Sequence, residues 1–304
     1  MRLALLSFLL AAGVLCAGPE HSAGSLRVAL LAGDEVQVDQ LQARVDGAPS
    51  NILSVRGPSD DLMLLIVMDV SGDLSLVDPA REALIESMQQ LPQNTFIGLL
   101  RAQDGLRVVA DPAADRAPIA EALRALPVSG KAGLLSTVET AAQLADRIAA
   151  KSGIRLALLY VTDSNIYNYR EDYTNPVVNG SDARDLSRRF PEGLVKEKTA
   201  RLASQLAARQ TPLFILHLDR RADRLNEAYQ TGLLELAAVT GGATEICRTQ
   251  GEVPAAVQKM LGMIQSHYSV EVQMRKMTSR QVVVSLEAPG MSLRYRSRFQ
   301  LRDP

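Results

Sequence analysis

Tryptophan is absent, aromatic residues make up 4% of the 304-residue chain, and there are only two cysteines and three histidines. So few aromatics exclude a platform on which bases stack. Two cysteines exclude a disulfide framework or a cysteine-rich zinc site. The histidines, His21, His217 and His267, are far apart and share no ligand spacing. An excess of one charge is lacking too. Lys and Arg total 33 against 34 Asp and Glu, a net charge of −1, so nothing draws the chain to nucleic acid non-specifically. What is there is a globular composition, 47% hydrophobic and 22% charged, with length for one large domain or two small ones.

Arg2 precedes an apolar run from Leu3 to Val14, followed by Leu15-Cys16-Ala17-Gly18-Pro19-Glu20. A basic start, a short apolar stretch and small residues describe a secretory signal over residues 1–18, with cleavage after Ala17 or Gly18. The run is shorter than the ~20 apolar residues of a membrane span. Leu15 stands where a lipoprotein signal carries a small residue, which argues against a lipid on Cys16. The expectation is a mature chain that is exported, periplasmic or extracellular, without a membrane span. Cys247 is then alone and reads as a small buried core residue.

Residues 25–61 read as short strands and turns, with Leu26, Val28 and Leu30 alternating, Val36 and Val38 following, and Asp46-Gly47 as a turn pair. Residues 62–267 differ. Leu62–Met68, Ile154–Val161 and Leu213–Leu218 are continuous apolar runs, as in strands buried on both faces. Phe96–Leu100 and Leu106–Val109 read as further strands around Asp104-Gly105, and Ala243–Cys247 as another. Helical stripes lie between them: Leu84, Ile85, Met88 and Leu91; Ile119–Leu126; Leu134 through Ile148; Leu202 and Leu206; Leu233–Val239, stopped at Gly241-Gly242; and Val253–Ile264. Such alternation predicts an α/β fold, Rossmann-like and doubly wound, its central sheet mostly parallel with helices on both faces. Residues 268–304 return to strands over Tyr268–Val272, Gln281–Leu286 and Ser292–Phe299. With 25–61 they are expected to form a small β-rich unit, since each part is too short to bury a core alone.

Ligands of open α/β sheets gather at the carboxyl ends of the strands. The first buried strand ends at Asp69-Val70-Ser71-Gly72-Asp73, the second at Thr162-Asp163-Ser164, the third at His217-Leu218-Asp219. Two acidic loops at strand ends suggest a hard divalent cation held by carboxylate and hydroxyl oxygens. The alternative is that Asp69 and Asp163 cap the helices that follow them.

The run Leu64-Leu65-Ile66-Val67-Met68-Asp69-Val70-Ser71-Gly72-Asp73, followed later by Leu158-Leu159-Tyr160-Val161-Thr162-Asp163, resembles von Willebrand factor type A (vWA) domains. Asp46-Gly47-Ala48-Pro49-Ser50-Asn51-Ile52, Thr240-Gly241-Gly242, His267-Tyr268, Ala288-Pro289-Gly290 and Arg294-Tyr295-Arg296 resemble segments of a bacterial secreted vWA-related family in the same order. The resemblance implies a metal-ion-dependent adhesion site that takes an acidic side chain of a partner protein. Asp69, Ser71 and Asp163 match its ligands. Asp73 replaces the second serine and is a fourth candidate ligand, although its added charge makes the ion less attractive to a partner's carboxylate. Ala132, which cannot ligate metal, replaces the threonine within Ser129-Gly130-Lys131-Ala132-Gly133-Leu134. The implied cation is Mg²⁺, or Ca²⁺ or Mn²⁺, bound weakly or not at all at such an altered site. Lys131 is placed to hold Asp73 as a salt bridge instead.

An enzyme reading finds little support. Position 71 is Ser, where a haloacid dehalogenase-type phosphatase needs Asp, and neither a Gly-x-Ser-x-Gly elbow nor a phosphate loop occurs. His217 sits among apolar neighbours as a buried histidine rather than a base. A metal-dependent hydrolase or phosphatase using Asp69 is the remaining alternative to a non-enzymatic protein-binding module. Residues 164–190, 27 in all, follow Asp163 and hold Tyr167, Tyr169 and Tyr173 together with Arg170. Structureless loops this long are mostly functional or disordered, and these residue types make strong contacts; the alternative is a solvated insertion whose tyrosines cover the sheet edge. The expectation is that this loop supplies the partner-binding surface.

Overall fold

The computed structural model describes residues 24–33, 35–169, 191–274 and 280–301. The leader segment 1–18, Cys16, His21, Arg170 and Tyr173 lie outside the described residues.

Fourteen strands and six helices are found among them. The central sheet is built from β5 (Leu62–Asp69), β6 (Thr95–Arg101), β7 (Arg107–Ala113), β8 (Arg155–Thr162), β9 (Leu213–His217) and β10 (Thr244–Ile246), in the order β10-β9-β8-β5-β6-β7. Five strands run parallel, and only the edge strand β7 is antiparallel. Every residue of β8 and β9 is buried, which is why they read as unbroken apolar runs. One face is covered by α1 (Leu74–Gln90), α2 (Ala117–Ala125) and α6 (Val253–Ser266). The other carries α3 (Leu134–Ser152), α4 (Pro191–Leu206) and α5 (Arg224–Ala238). Each fully buried Leu, Ile or Phe contributes about 1.5–3 kcal/mol.

Connectivity decides where a site can form. From β5 the chain steps outward to β6. It returns through α3 to β8 on the other side of β5, then steps outward again to β9 and β10. The order thus reverses between β5 and β8, and the loops after them part to leave a crevice at their carboxyl ends.

The terminal strands build the β-rich unit. Here β1 (Ser25–Ala32), β4 (Ile52–Arg56), β11 (Tyr268–Gln273) and β13 (Leu293–Tyr295) form a sheet of order β13-β1-β11-β4. A second sheet, β14-β12-β2-β3, joins β2 (Gln42–Val45), β3 (Ala48–Ser50), β12 (Gln281–Glu287) and β14 (Arg298–Gln300). The two share one core, in which Val28, Leu30, Val270, Val282 and Val284 are fully buried.

Two expectations about strands are corrected. Val36 and Val38 do not form a strand: Val38–Gln40 is a 3₁₀ turn, and the Val36 N–H donates to the Tyr268 hydroxyl at 3.0 Å. Ser292–Phe299 is not one strand but two, β13 and β14, each in a different sheet. The chain changes sheets at Arg296, whose buried guanidinium donates to the carbonyls of Arg209, Ala207 and Arg298 and lies 4.1 Å from the centre of the Phe299 ring.

Pro79 lies inside α1 and cannot donate to the Ser75 carbonyl four residues back. The Gln250 side-chain amide donates there instead, at 2.5 Å. A helix that proline alone would break is completed from the turn before α6.

Candidate functional site

Asp69 ends β5 and is fully buried. One carboxylate oxygen accepts from the Gly133 N–H at 2.7 Å; the other accepts from the Leu134 N–H at 3.1 Å and the Thr162 hydroxyl at 3.2 Å. Gly133 and Leu134 open α3, so Asp69 neutralises a helix start whose N–H groups have no partner within the helix. Only glycine fits at 133: a Cβ there would lie 1.8 Å from the Ala102 carbonyl oxygen.

Asp163, immediately after β8, reaches the other way. One oxygen accepts from the Ser71 N–H at 2.6 Å and the Ser71 hydroxyl at 3.2 Å; the other accepts from the N–H groups of Gly72 at 3.2 Å and Asp73 at 3.1 Å. Three successive N–H groups converging on one carboxylate form an anion-binding nest. Asp73 then caps α1, accepting from the Ser75 N–H at 3.0 Å and its hydroxyl at 2.6 Å. So the two strand-end aspartates do cap helix starts, but crosswise: the one after β5 serves α3, and the one after β8 serves the entry to α1.

The other expected site residues divide. Ala132 is buried and its N–H donates to the Asn168 carbonyl at 3.2 Å. Lys131 is exposed; its N–H donates to Asp104, and no ion pair joins it to Asp73 among the described residues. Tyr167 is 58% exposed and donates to Asp223 at 3.1 Å. Tyr169, expected beside it on a binding surface, is instead buried. Its hydroxyl lies 2.9 Å from that of Tyr229, with the rings edge-to-face. Asn165 and Asn168 cap the single 3₁₀ turn between them in both directions, and that turn sends the two tyrosines to opposite sides.

The sequence reading missed Thr162, Ser164 and Tyr229. The Thr162 hydroxyl bridges Asp69 and the Ser164 N–H. Ser164 also contacts the Asp69 carbonyl and the Ser71 hydroxyl. Proximity to Asp163 was the only available signal for Thr162 and Ser164, and Tyr229 gave none. His217 is buried as expected. Its Nδ1 accepts from the Asp219 N–H, so Nε2 carries the proton and donates to the Ser164 carbonyl at 3.0 Å. Burial pushes this imidazole down to about 4. Burial pushes Asp69 up to about 6, against the hydrogen bonds that favour its charged form.

Similar α/β folds occur among solved structures. A von Willebrand factor type A protein from Catenulispora acidiphila is 11% identical over 92% of this chain and 73% of its own, with a TM-score of 0.46. The chain is similar to von Willebrand factor type A domains. BatB from Bacteroides thetaiotaomicron is 15% identical over 67% of this chain and 100% of its own, at a TM-score of 0.41. Proximal thread matrix protein 1 of the mussel byssus, with a zinc-occupied MIDAS motif, is 10% identical over 74% of this chain and 50% of its own, at 0.44. No protein-family model matches the chain, and no curated protein does. At these identities and scores the vWA likeness says nothing about ligands or partners. No helix among the described residues is long and apolar enough to cross a membrane.

Proposed function

We propose that this chain is an exported, non-enzymatic protein-binding module that works through the carboxyl end of its central sheet, at an adhesion-type site in which hydrogen bonds replace the cation. The observation that carries the reading is the crossed pair of aspartate clamps. The donor set does not fit a divalent ion, which needs free oxygens around one point. Asp163 is engaged by four donors and Asp69 by three. Asp73 faces Ser75, and Ala132 has no side-chain oxygen. No group of three or more His, Cys, Asp or Glu gathers around one point among the described residues.

With its loops held this way, the rim offers apolar anchors in a polar surround. Leu74, at the start of α1, and Tyr167 are 55% and 58% exposed. An aromatic and an aliphatic anchor ringed by polar groups is how small interfaces concentrate binding energy. The hydrolase alternative needs an Asp69 carboxylate open to substrate, and this one is 0% exposed.

Cross-linking capture from the exported protein fraction, with EDTA in every buffer, tests the reading. The parent chain captures a partner without metal, and Leu74→Ser with Tyr167→Ala weakens capture more than tenfold at an unchanged melting temperature. Capture that requires added Mg²⁺ would overturn the metal-free site. In the same experiment, millimolar Mg²⁺, Mn²⁺ or Ca²⁺ leaves the parent's melting temperature where EDTA leaves it.

A further inference from the structure

A cleft of about 420 Å³ lies between the β-rich unit and the central domain, lined by the first residues of β1, the later half of α3, the α4–β9 loop and β11. At 1.5 Å per helical residue, Arg147 on its wall is about 20 Å along α3 from Leu134, so it is remote from the aspartate clamps.

Its charged side chains are Arg27, Arg147 and Arg209 against Asp146 and Glu271. The two carboxylates are already engaged. Asp146 accepts from the N–H groups of Gln210 and Thr211 and from the Thr211 hydroxyl at 2.7 Å. Glu271 accepts from the hydroxyls of Ser25 and Ser54. Arg27 stands directly across from Glu271 in the β1–β11 register, yet no ion pair closes between them.

The donors, by contrast, are unused. No hydrogen bond or ion pair among the described residues involves the guanidinium of Arg27 or of Arg147. Arg209 is bonded to Glu139, and its side chain is 6% exposed, yet its buried Nε has no acceptor. The Gln210 Oε1 accepts from the Arg27 N–H at 2.9 Å, which leaves its amide N–H groups as donors. A buried N–H without an acceptor is destabilising, and guanidinium forks match the paired oxygens of carboxylate and phosphate.

We propose that this cleft is a second binding site, for a small oxyanion, with Arg27 and Arg147 gripping it and the Arg209 Nε and Gln210 amide completing the donor set. Carboxylate and phosphoryl ligands share this chemistry. A ligand there bridges the terminal β-rich unit and α3, so it ties the two parts of the molecule together.

Calorimetric titration of the purified chain with inorganic phosphate and, separately, with succinate tests the site, each at an ionic strength matched with KCl. Saturable one-site binding of either probe is expected, with a melting temperature that rises with its concentration. Phosphate alone binding assigns phosphoryl ligands; succinate alone assigns carboxylates. Arg27→Gln with Arg147→Gln weakens the affinity at least tenfold, whereas Arg220→Gln, an exposed arginine elsewhere, leaves it unchanged. Should the double variant fold poorly, Arg147→Glu, on the exposed face of α3, gives the same loss. No saturable binding of either probe, or affinity unchanged in the Arg147→Glu chain, overturns the proposal.

Discussion

At the carboxyl end of the central sheet the buried charges are anions, Asp69 and Asp163, and seven hydrogen bonds from backbone N–H groups and hydroxyls hold them. At the amino end they are cations. Arg155 is fully buried at the start of β8 and donates to the carbonyls of Gln265, His267, Pro58 and Asp60. Arg116 donates to those of Thr95, Pro92 and Ala113. None of the four takes part in an ion pair among the described residues. Each end sets its charge against backbone groups that the elements leave unpaired, N–H at the starts of α1 and α3 and C=O at the end of α6, the polarity that helix dipoles favour. A buried charge settled in this way needs no side-chain counter-ion.

If that symmetry is real, removing the cation at the amino end should hurt most. Arg155→Met takes a donor from each of four carbonyls, of which Asp60 and Pro58 keep another, from the Asn94 and Gln265 side-chain amides, and should lower stability by about 4 kcal/mol in urea unfolding. A loss below ~1 kcal/mol would make the buried arginine incidental.

Acidity sharpens the comparison next. Burial holds both His217 and His267 down at about 4 and lifts Asp69 to about 6. Between pH 4 and 6.5 the unfolded chain takes up protons on both histidines that the folded chain refuses, so stability rises with pH. Asp69 acts the other way between 3.8 and 6, because the folded chain keeps a proton that the unfolded chain releases. Two groups against one leave a net gain of about 3 kcal/mol from pH 4 to 7. A profile that falls over this range would contradict buried neutral imidazoles.

At the carboxyl end, Asp163→Asn turns one acceptor oxygen into a donor that faces N–H groups. A loss of about 2 kcal/mol is expected, unaltered by divalent ions; rescue by Mg²⁺ would show that a cation belongs there. The smallest effects separate the tyrosines. Tyr169→Phe deletes the hydroxyl contact with Tyr229 and should cost about 1 kcal/mol. Tyr167→Ala, at an exposed position, should shift stability by less than ~0.5 kcal/mol. Equal losses would mean that both are packing residues.

Strands β5, β8 and β9 were legible because burial on both faces leaves one kind of residue to choose from. The positions of Asp69 and Asp163 at strand ends were legible for the same reason. Their partners were not: the donors lie 64 and 92 residues away, and nothing local marks a Gly133 N–H as a ligand for Asp69. Ser292–Phe299 looked like one strand because its alternation continues through the bend. The break is imposed by carbonyls at Ala207 and Arg209, far away in sequence. Tyr167 and Tyr169 looked equivalent because composition cannot say which side of a 3₁₀ turn faces the core.

The pairing of β1 with β11, Leu30 opposite Tyr268, also fixes a timetable. The whole central sheet lies between the two strands in the sequence. At ~5–20 residues per second, synthesis of the roughly 240 intervening residues leaves β1 with two open edges for about 10–50 s. Strand β1 is therefore made long before it finds its neighbour, and a chain cut short before residue 268 presents that strand, apolar at Leu26, Val28 and Leu30, to any other strand within reach.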